Sequence, residues 1–400
     1  MSGQVIITGG GIGGLSAALA LGRAGAEVRL FEQAEAFNEV GAGVQLGPNA
    51  TRSLHSWGLG QALASVAAFP NKLQVRSAIT GQTLGELPLG DAMQTRYGAP
   101  YATVHRADLH ALLLRAVQQQ AQTRLHVNRP LLAFSQTPEA VTVQTPDFPD
   151  IEADALIGAD GLWSTVRQHL LADAPPLAIG HLAYRALVPQ ADLPSALRSQ
   201  NVTAWLGPRL HVVQYPVRRG EQLNTVAIVH GQLPEDADPW DNSANNDAIA
   251  AELSTALAGN CPALMAHIAA VPVWRRWALF DRPPLQGPHQ HVAGRVALLG
   301  DAAHPMRPYL AQGAAMAIED AAAVGHAWAG GDGAADVPSA LQRFAHARWQ
   351  RNAQVQARAV RNGQIFHATG VVRWGRDAAL KLLGRRLLDM PWLYGRVNSL

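Results

Sequence analysis

Three glycines near the start of the chain have the spacing of a nucleotide-binding turn. The run Gly9-x-Gly11-x-x-Gly14 follows apolar residues that predict a strand and opens a stretch rich in Ala and Leu that predicts a helix. In such a unit the first glycine makes the tight turn, the second lets the backbone approach a pyrophosphate, and the third permits close helix packing. Glu32 ends the next apolar run, where a carboxylate accepts hydrogen bonds from ribose hydroxyls. Since its charge would repel a 2′-phosphate, the nucleotide predicted here is FAD or NAD(H).

A second acidic turn lies near the other end of the chain. The apolar residues 296–299 lead into Gly300-Asp301, and a helix of small residues is predicted to begin at Gly313-Ala314. The free N–H groups of a helix start favour an anionic group, such as the pyrimidine edge of a reduced flavin. Asp301 is expected to face the ribityl chain. Two cofactor-binding turns so far apart in sequence imply one long cofactor that spans both, and FAD fits that description.

A third strand-to-turn unit lies at residues 154–167. It ends in Asp160-Gly161, followed by Ser164 and Arg167. We interpret Asp160 as a further cofactor contact. The alternative is a turn that this aspartate merely caps.

A histidine and a tyrosine share one face of a predicted strand at residues 209–217. Side chains alternate along a strand, so His211, Val213 and Tyr215 point to the same side. The Cα atoms of His211 and Tyr215 would lie about 13 Å apart at roughly 3.3 Å per residue, a gap that suits one substituted ring between two polar tips. From the alternation alone, a half-exposed strand with an incidental His and Tyr is the favoured interpretation.

The composition is that of a folded protein with a large core. The chain has 400 residues, of which 48% are hydrophobic and 16% charged, which excludes a disordered chain and suggests two domains or one with an excursion. The net charge of +2 is too small to favour nucleic-acid binding. The single cysteine, Cys261, excludes an intrachain disulfide and any multi-cysteine metal site, and we predict no metal.

The same features favour a cytoplasmic protein. One cysteine suits a reducing compartment, and the N-terminus enters a predicted strand with no room for a signal peptide. No apolar run reaches the roughly 18 residues that a membrane span needs, so no membrane partner is expected. Basic residues are concentrated at the end of the chain, where eleven Lys and Arg face two acids from residue 340 onward. We favour a solvated helical face there over a field that attracts anionic ligands.

Strand and helix patterns predict an α/β fold. We expect a doubly wound, Rossmann-like FAD-binding domain, interrupted by an inserted β-sheet substrate domain and followed by C-terminal helices. The predicted ranges are 1–70, 98–175 and 270–338 for the FAD-binding domain, 71–97 and 176–269 for the substrate domain, and 339–400 for the helices.

Five motifs in order resemble the group A flavoprotein monooxygenases, which are built like para-hydroxybenzoate hydroxylase. They are GGGIGG at the start, GAGVQLGPNA at 41–50, TVHRADL at 103–109, IGADGLWSTVR at 157–167 and GDAAHPMRPYLAQGAAMAIEDA at 300–321. The closing WLYG at 392–395 looks like the end of salicylate-hydroxylase-type members. The resemblance covers nearly the whole chain.

The resemblance implies an enzyme with noncovalent FAD. In this family NADH or NADPH reduces the flavin, which reacts with O₂ to a C4a-hydroperoxide that hydroxylates an activated ring. NADH is expected to be preferred. Arg106 matches the arginine that reaches the FAD pyrophosphate, and Gly43 and Val44 match the loop along the flavin. Val127 stands where a backbone contact to adenine is expected, with a core position as the alternative. Further cofactor contacts are expected at Ile12, Gly13 and Pro308.

The resemblance also assigns the substrate side. In hydroxybenzoate and hydroxynicotinate hydroxylases of this family, a His-x-x-x-Tyr strand faces the substrate. This implies that His211 and Tyr215 are catalytic and orient and ionise a ring hydroxyl, His being the natural proton acceptor near neutral pH. Gln45 and Pro308 are further expected substrate contacts, and His304 either orients a substrate group or caps its turn.

Arg185 has two interpretations. It could pair a substrate carboxylate, but a structural ion pair is favoured. The function that the resemblance implies is hydroxylation of a small phenolic acid such as a hydroxybenzoate or salicylate, by a monomer or homodimer. A hydroxylase of an N-heteroaromatic acid, an epoxidase on the same fold, and a flavin-binding protein without activity are the alternatives.

Overall fold

The computed structural model describes residues 3–37, 41–146, 148–232, 246–330 and 336–395. The first stretch of chain contains β1 (Gln4–Thr8), α1 (Ile12–Arg23), β2 (Glu27–Phe31), β3 (Gly43–Leu46), α2 (Pro48–Ser56) and α3 (Gly60–Ala64). The next contains β4 (Lys72–Ser77), β5 (Thr83–Pro88), α4 (Gly90–Tyr97), β6 (Ala102–His105), α5 (Arg106–Gln118), β7 (Thr123–His126), β8 (Ala133–Gln136), β9 (Val141–Gln144), β10 (Ile151–Ala153), β11 (Ala155–Gly158) and α6 (Thr165–Leu171).

The second half of the chain begins with long strands and ends in helices. It contains β12 (Leu177–Pro189), β13 (Val202–Gly207), β14 (Leu210–Val217), β15 (Gln222–His230), α7 (Asn246–Ala256), α8 (Pro262–Ala269), β16 (Arg275–Asp281), α9 (Pro288–His291), β17 (Val292–Ala293) and β18 (Val296–Leu298). The closing helices are α10 (Gly313–Ala329), α11 (Val337–Phe366), α12 (Gly370–Leu383), α13 (Arg385–Leu388) and α14 (Pro391–Tyr394).

A six-stranded sheet forms the centre of the cofactor domain. Its order is β17-β18-β11-β1-β2-β7, and only the edge strand β17 is antiparallel to its neighbour among these strands. The central strands read as continuous apolar runs because both faces are covered. Val5, Ile6 and Ile7 of β1 are fully buried. The predicted doubly wound α/β fold is confirmed.

The carboxyl ends of the parallel strands carry the turns that the sequence singled out. Gly9 follows β1, Glu32 follows β2, Asp160 lies two residues after β11 and Gly300 lies two residues after β18. Since parallel strands end at one edge of a sheet, these turns lie along the same edge, where open α/β sheets bind ligands. Helices α1 and α10, both rich in Ala, pack closely against each other beside this edge.

A seven-stranded sheet carries the second half of the site. Its order is β16-β12-β15-β14-β13-β4-β5, so the segment 71–97 joins strands from 176–230 in one sheet. Two details differ from the sequence prediction. Residues 90–97 form helix α4 rather than strand, and β16 pairs with β12 although residues 270–281 were assigned to the cofactor domain. The pairing of β16 with β12 joins segments about 90 residues apart, and no local pattern in the sequence reports such a contact.

Helix α11 is joined to helix α10 of the cofactor domain by buried ion pairs. Helix α11 has 30 residues and carries Arg348, which is fully buried. Arg348 Nη1 lies 2.7 Å from Glu319 and its Nε lies 2.7 Å from Asp320, both on α10. Arg351 contacts the same Glu319 at 2.7 Å. The favoured interpretation of the basic terminus as a solvated face is therefore wrong for these two arginines, because they face acidic residues of the helix α10 that packs against α11.

The described helices include none that combines the length and the apolar composition required to cross a bilayer.

Candidate active site

A cavity of about 300 Å³ lies between the two large sheets. The first glycine turn, the start of α10 and strand β3 line its cofactor side, and strands β12, β14 and β15 line the opposite side. The volume is at the lower end of the range for small-molecule sites. Residues of the first glycine turn, the second acidic turn, strand β3 and the predicted substrate strand thus meet at one opening.

The first turn has the backbone that its glycines predict. Gly9 has φ +99°, and a Cβ there would lie 2.3 Å from the Ala159 carbonyl oxygen. A Cβ on Gly14 would lie 1.8 Å from the carbonyl oxygen of Gly9, so helix α1 can approach the turn only with glycine at this position. Gly11, Ile12 and Gly13 line the cavity. The turn therefore presents bare backbone to a ligand.

Glu32 and Val127 lie side by side beyond the cavity. Glu32 Oε2 accepts a 2.6 Å hydrogen bond from the backbone N–H of Gly10, and Oε1 accepts one from Ala34 at 2.8 Å. The backbone N–H of Glu32 donates to the carbonyl oxygen of His126, which holds the neighbouring Val127 beside it. Val127 is half-buried rather than a core residue. Both positions lie at the carboxyl edge of β2 and β7, where an adenosine end would reach.

Strand β3 lines the middle of the cavity. Gly43, Val44 and Gln45 all face it, together with Arg106 from the start of α5. The Gln45 side-chain oxygen accepts a 2.7 Å hydrogen bond from the Tyr101 hydroxyl. Predicted cofactor and substrate contacts therefore follow one another along a single strand.

The second acidic turn also opens into the cavity. Asp301, Pro308, Gly313 and Ala314 line it, and α10 begins at Gly313 as predicted. Surrounding protein raises the pKa of the Asp301 carboxyl from its ordinary value, and the positive charges of His304 and Arg106 oppose that shift. Asp301 as a residue nevertheless keeps exposed surface where it lines the cavity. An acid that hydrogen-bonds to a polyol chain would hold this position.

The structure gives Asp160 the capping role that was its alternative interpretation. Its Oδ1 accepts a hydrogen bond from the Ser164 hydroxyl at 2.5 Å, and its Oδ2 accepts one from the Val166 backbone at 3.1 Å, at the start of α6. Its neighbours Ala159 and Gly161 line the cavity, whereas Asp160 itself does not. A cofactor contact by the Asp160 side chain stays a prediction.

The prediction that His304 contacts substrate is not met by the geometry. His304 is buried and does not line the cavity. Its Nε2 pairs with Asp320 Oδ2, which also accepts a 3.1 Å hydrogen bond from the Gly300 backbone N–H. Sequence spacing placed His304 near the turn but could not show which side of the backbone its ring occupies.

His211 and Tyr215 both face the cavity from β14, with Val213 between them. The Tyr215 hydroxyl donates a 2.6 Å hydrogen bond to the Gly43 carbonyl oxygen. His211 Nδ1 lies 2.8 Å from His367 Nε2, so its Nε2 is the ring nitrogen left for a ligand. Burial raises the pKa of Tyr215, and burial lowers that of His211 to about 3. Both side chains are therefore neutral at pH 7.

Arg185 lines the same cavity, and it does not form the ion pair that was favoured from the sequence with any residue that the structure describes. Its Nε is buried and has no hydrogen-bond partner among the described residues. Desolvation lowers the pKa of its guanidinium, although the Tyr215 hydroxyl opposes that shift. A cation held in this way favours an incoming anion.

The sequence matches a known protein family and several characterised enzymes. A family model described as an FAD binding domain matches residues 2–359. The chain belongs to this family of FAD-dependent monooxygenases. It is 39% identical to "3-hydroxybenzoate 6-hydroxylase" of Polaromonas naphthalenivorans over 98% of this chain and 95% of that protein. It is 37% identical to "6-hydroxynicotinate 3-monooxygenase" of Bordetella bronchiseptica over 80% of this chain and 81% of the other.

A solved structure extends the similarity to the whole fold. The Klebsiella pneumoniae protein HpxO, crystallised with FAD and uric acid, superposes on this monooxygenase with a TM-score of 0.84 at 25% identity, covering 96% of this chain and 94% of that one. FAD is thus the cofactor of the family fold. The residues present fit it, since the Gly9–Gly14 turn leaves bare backbone, the cavity runs on to Asp301, and α10 points its free N–H groups inward.

Several residues of this monooxygenase site were not found from the sequence. The Asn224 side-chain oxygen accepts a 2.7 Å hydrogen bond from the backbone N–H of Gly43, the same residue whose carbonyl oxygen Tyr215 contacts. Tyr101 holds Gln45, and His367 holds His211. None of these belongs to a motif. An odd polar residue inside an apolar strand, as Asn224 is, was the only signal available.

Proposed function

We propose that this monooxygenase hydroxylates a small phenolic acid, a hydroxybenzoate in the first instance. The observation that carries the proposal is the Arg185 guanidinium, which stacks near Trp277 and has no ion pair among the described residues, in the same cavity wall as His211 and Tyr215. A guanidinium binds a carboxylate with two parallel hydrogen bonds, and the His and Tyr tips suit a ring hydroxyl. The relatives named for hydroxybenzoate hydroxylation match nearly the full length of the chain.

The residues divide the work of holding the ring. Arg185 binds the carboxylate and sets the orientation of the ring across the sheet. The Tyr215 hydroxyl donates its proton to the Gly43 carbonyl oxygen, so this side chain fixes strand β3 beside the ring and leaves the single proton of the ring hydroxyl to His211. Because its pKa is raised, Tyr215 stays protonated and positions the substrate rather than acting as the base.

His211 is the group that takes the proton of the ring hydroxyl. Its Nε2 is free on the cavity side, and a neutral imidazole accepts a proton there. Loss of the proton raises the electron density of the ring, which oxygen transfer requires. Bound FAD supplies the redox chemistry, taking a hydride from NADH and activating O₂ for transfer to the ring.

The binding and cellular context form part of the same proposal. FAD is held noncovalently, NADH is preferred over NADPH, and the enzyme acts in the cytoplasm as a monomer or homodimer. Acid precipitation tests the first point, because noncovalent FAD is released into the supernatant whereas covalent flavin stays in the pellet. The preference for NADH is overturned by a higher kcat/KM with NADPH.

Substrate screening tests the central proposal. NADH oxidation and product formation are measured together with 3-hydroxybenzoate, 3-amino-4-hydroxybenzoate, salicylate and 6-hydroxynicotinate. We expect a benzoate to give the highest kcat/KM with hydroxylated product. The hydroxynicotinate type is the second candidate, since one relative at 37% identity carries that name. Oxidation of NADH without hydroxylated product from any phenolic acid would reject the proposal.

A further inference from the structure

A chain of hydrogen-bonded imidazoles leads away from the cavity. His211 Nδ1 lies 2.8 Å from His367 Nε2, and His367 Nδ1 lies 3.0 Å from His230 Nε2. His211 and His367 are buried, whereas His230 is solvent-exposed. The two contacts use opposite nitrogens of the His367 ring. They therefore form one continuous path from the cavity wall to the surface.

Three separate elements bring these rings together. His211 lies near the start of β14 and His230 at the end of the neighbouring strand β15. His367 follows the last residue of helix α11, and its ring lies between His211 and His230 at the ends of these two interior strands. The backbone supports this placement, because the Arg209 N–H donates to the His367 carbonyl oxygen and the His230 N–H donates to that of Arg209, each at 3.1 Å.

His211 cannot keep the proton that it accepts. Desolvation first, and the neighbouring His181 second, hold its pKa at about 3, whereas a phenol has a pKa of about 10. A proton on His211 alone would return at once to the substrate oxygen. The ring hydroxyl ionises to a useful extent only if the proton reaches solvent, where the pH sets its free energy.

We propose that His367 and His230 relay the phenolic proton from His211 to solvent. The proposal rests on the proposed function. One proton moves at each contact: the substrate O–H passes to His211 Nε2, the Nδ1 proton of His211 passes to His367 Nε2, and the Nδ1 proton of His367 passes to His230 Nε2. His230 then loses its Nδ1 proton to water. The substrate ends as a phenolate and each imidazole ends neutral, in its other tautomer.

The positive charges around the three histidines disfavour a stably protonated imidazole among them. Besides desolvation, the other imidazoles and Arg376 lower the pKa of His367 to about 2, and Arg209 lowers that of His230. Arg307 acts in the same direction on His181, whose Nδ1 contacts the Tyr309 hydroxyl beside the chain. Arg307 and Arg376 are paired with Asp281 and Asp377. Electrostatic repulsion and desolvation thus make a protonated imidazole unfavourable at the buried histidines, so an excess proton moves on to the exposed His230.

The test measures proton release rather than turnover. The FAD-loaded enzyme is mixed with 3-hydroxybenzoate in weak buffer without NADH, and a pH indicator and the phenolate absorbance follow ionisation of the bound ligand. His230→Gln is the informative variant, because the position is exposed and glutamine keeps a polar side chain but cannot relay a proton. His367→Gln interrupts the middle of the chain. His169→Gln, also at an exposed position, is the matched control.

We expect His230→Gln and His367→Gln to slow proton release by about 10²-fold, which is in the range for loss of a proton-transfer group. The dissociation constant of 3-hydroxybenzoate should stay nearly unchanged. Added imidazole or a higher buffer concentration should restore the rate in His230→Gln, an effect that a structural role would not produce. Wild-type release rates in His230→Gln would overturn the relay, as would a bound ligand that stays a neutral phenol in the wild type. Failure of the proposed function is read separately, as the absence of hydroxylated product.

Discussion

The Tyr215 hydroxyl donates a 2.6 Å hydrogen bond to the carbonyl oxygen of Gly43 across 172 residues of sequence. Asn224, opposite Tyr215 on the neighbouring strand, accepts a 2.7 Å hydrogen bond from the N–H of the same Gly43. The seven-stranded sheet is therefore hydrogen-bonded to strand β3 through both the N–H and the carbonyl oxygen of one residue, Gly43. This contact couples the position of the ring-binding face to the position of the cofactor.

Tyr215→Phe should uncouple the enzyme rather than stop flavin reduction. The variant loses the hydrogen bond to Gly43 that fixes β3 beside the ring-binding face, while hydride transfer from NADH does not use that bond. The ratio of hydroxylated product to NADH consumed should fall and H₂O₂ should rise, with the hydroxylation step slowed by up to about 10²-fold. Tyr184→Phe, in the same sheet but in a separate apolar cluster, is the control. Wild-type coupling in Tyr215→Phe would make the contact purely structural.

Arg185→Met should damage substrate binding selectively. Loss of hydrogen bonds to a charged group costs about 1.5–3 kcal/mol, which corresponds to a rise in KM of roughly 10- to 100-fold for 3-hydroxybenzoate. Binding of a neutral phenol without a carboxylate should change little. Arg275→Met is the control, since Arg275 pairs with Arg185 across strands but is exposed. Equal losses for the acid and the neutral phenol would show that Arg185 does not recognise the carboxylate.

Arg348→Met should destabilise the fold. The substitution leaves Glu319 and Asp320 buried without their main counter-charge, and breaking a buried pair from one side costs about 3–5 kcal/mol. Arg343→Met, at an exposed position of the same helix, should stay within about 0.5 kcal/mol. Urea unfolding followed by circular dichroism gives both values. A loss below that of the control would mean that α10 and α11 are held by apolar packing alone.

Stability should increase with pH through the range set by His267. Burial lowers the pKa of this histidine to about 4 in the folded protein, whereas it is about 6.5 unfolded. Between these values the unfolded state binds more protons, so the free energy of unfolding rises with pH by up to about 1.4 kcal/mol per unit from this group. Below pH 4 both states are protonated and the slope vanishes.

His267→Gln should remove that share of the pH dependence. Glutamine can keep the contact to the Thr225 hydroxyl, which lies 2.9 Å from His267 Nε2, but does not titrate. The slope of unfolding free energy between pH 5 and 6 should therefore be smaller in the variant than in the wild type. An unchanged slope would assign the dependence to other buried histidines such as His291.

The local patterns of the sequence determined the cofactor turn and the substrate strand. Gly9 and Gly14 are dictated by backbone contacts within one strand–turn–helix unit, and strand alternation alone places His211 and Tyr215 on a common face. Both depend on neighbours only a few residues away, so spacing suffices to predict them. The order of five family motifs then identified the fold.

Contacts between distant segments were decided only by the tertiary structure. Asp160 and His304 follow their strands as expected, yet Asp160 caps α6 and His304 pairs with Asp320, because the direction of a side chain after a turn depends on what packs behind it. Within the described part of the chain Arg185 lacks the ion pair favoured from its sequence, because the fold sets it in a cavity wall. His211 contacts His367, which lies 156 residues away in the sequence. Residue periodicity describes only local structure and cannot predict such a contact. It forms because the end of α11 packs on the sheet.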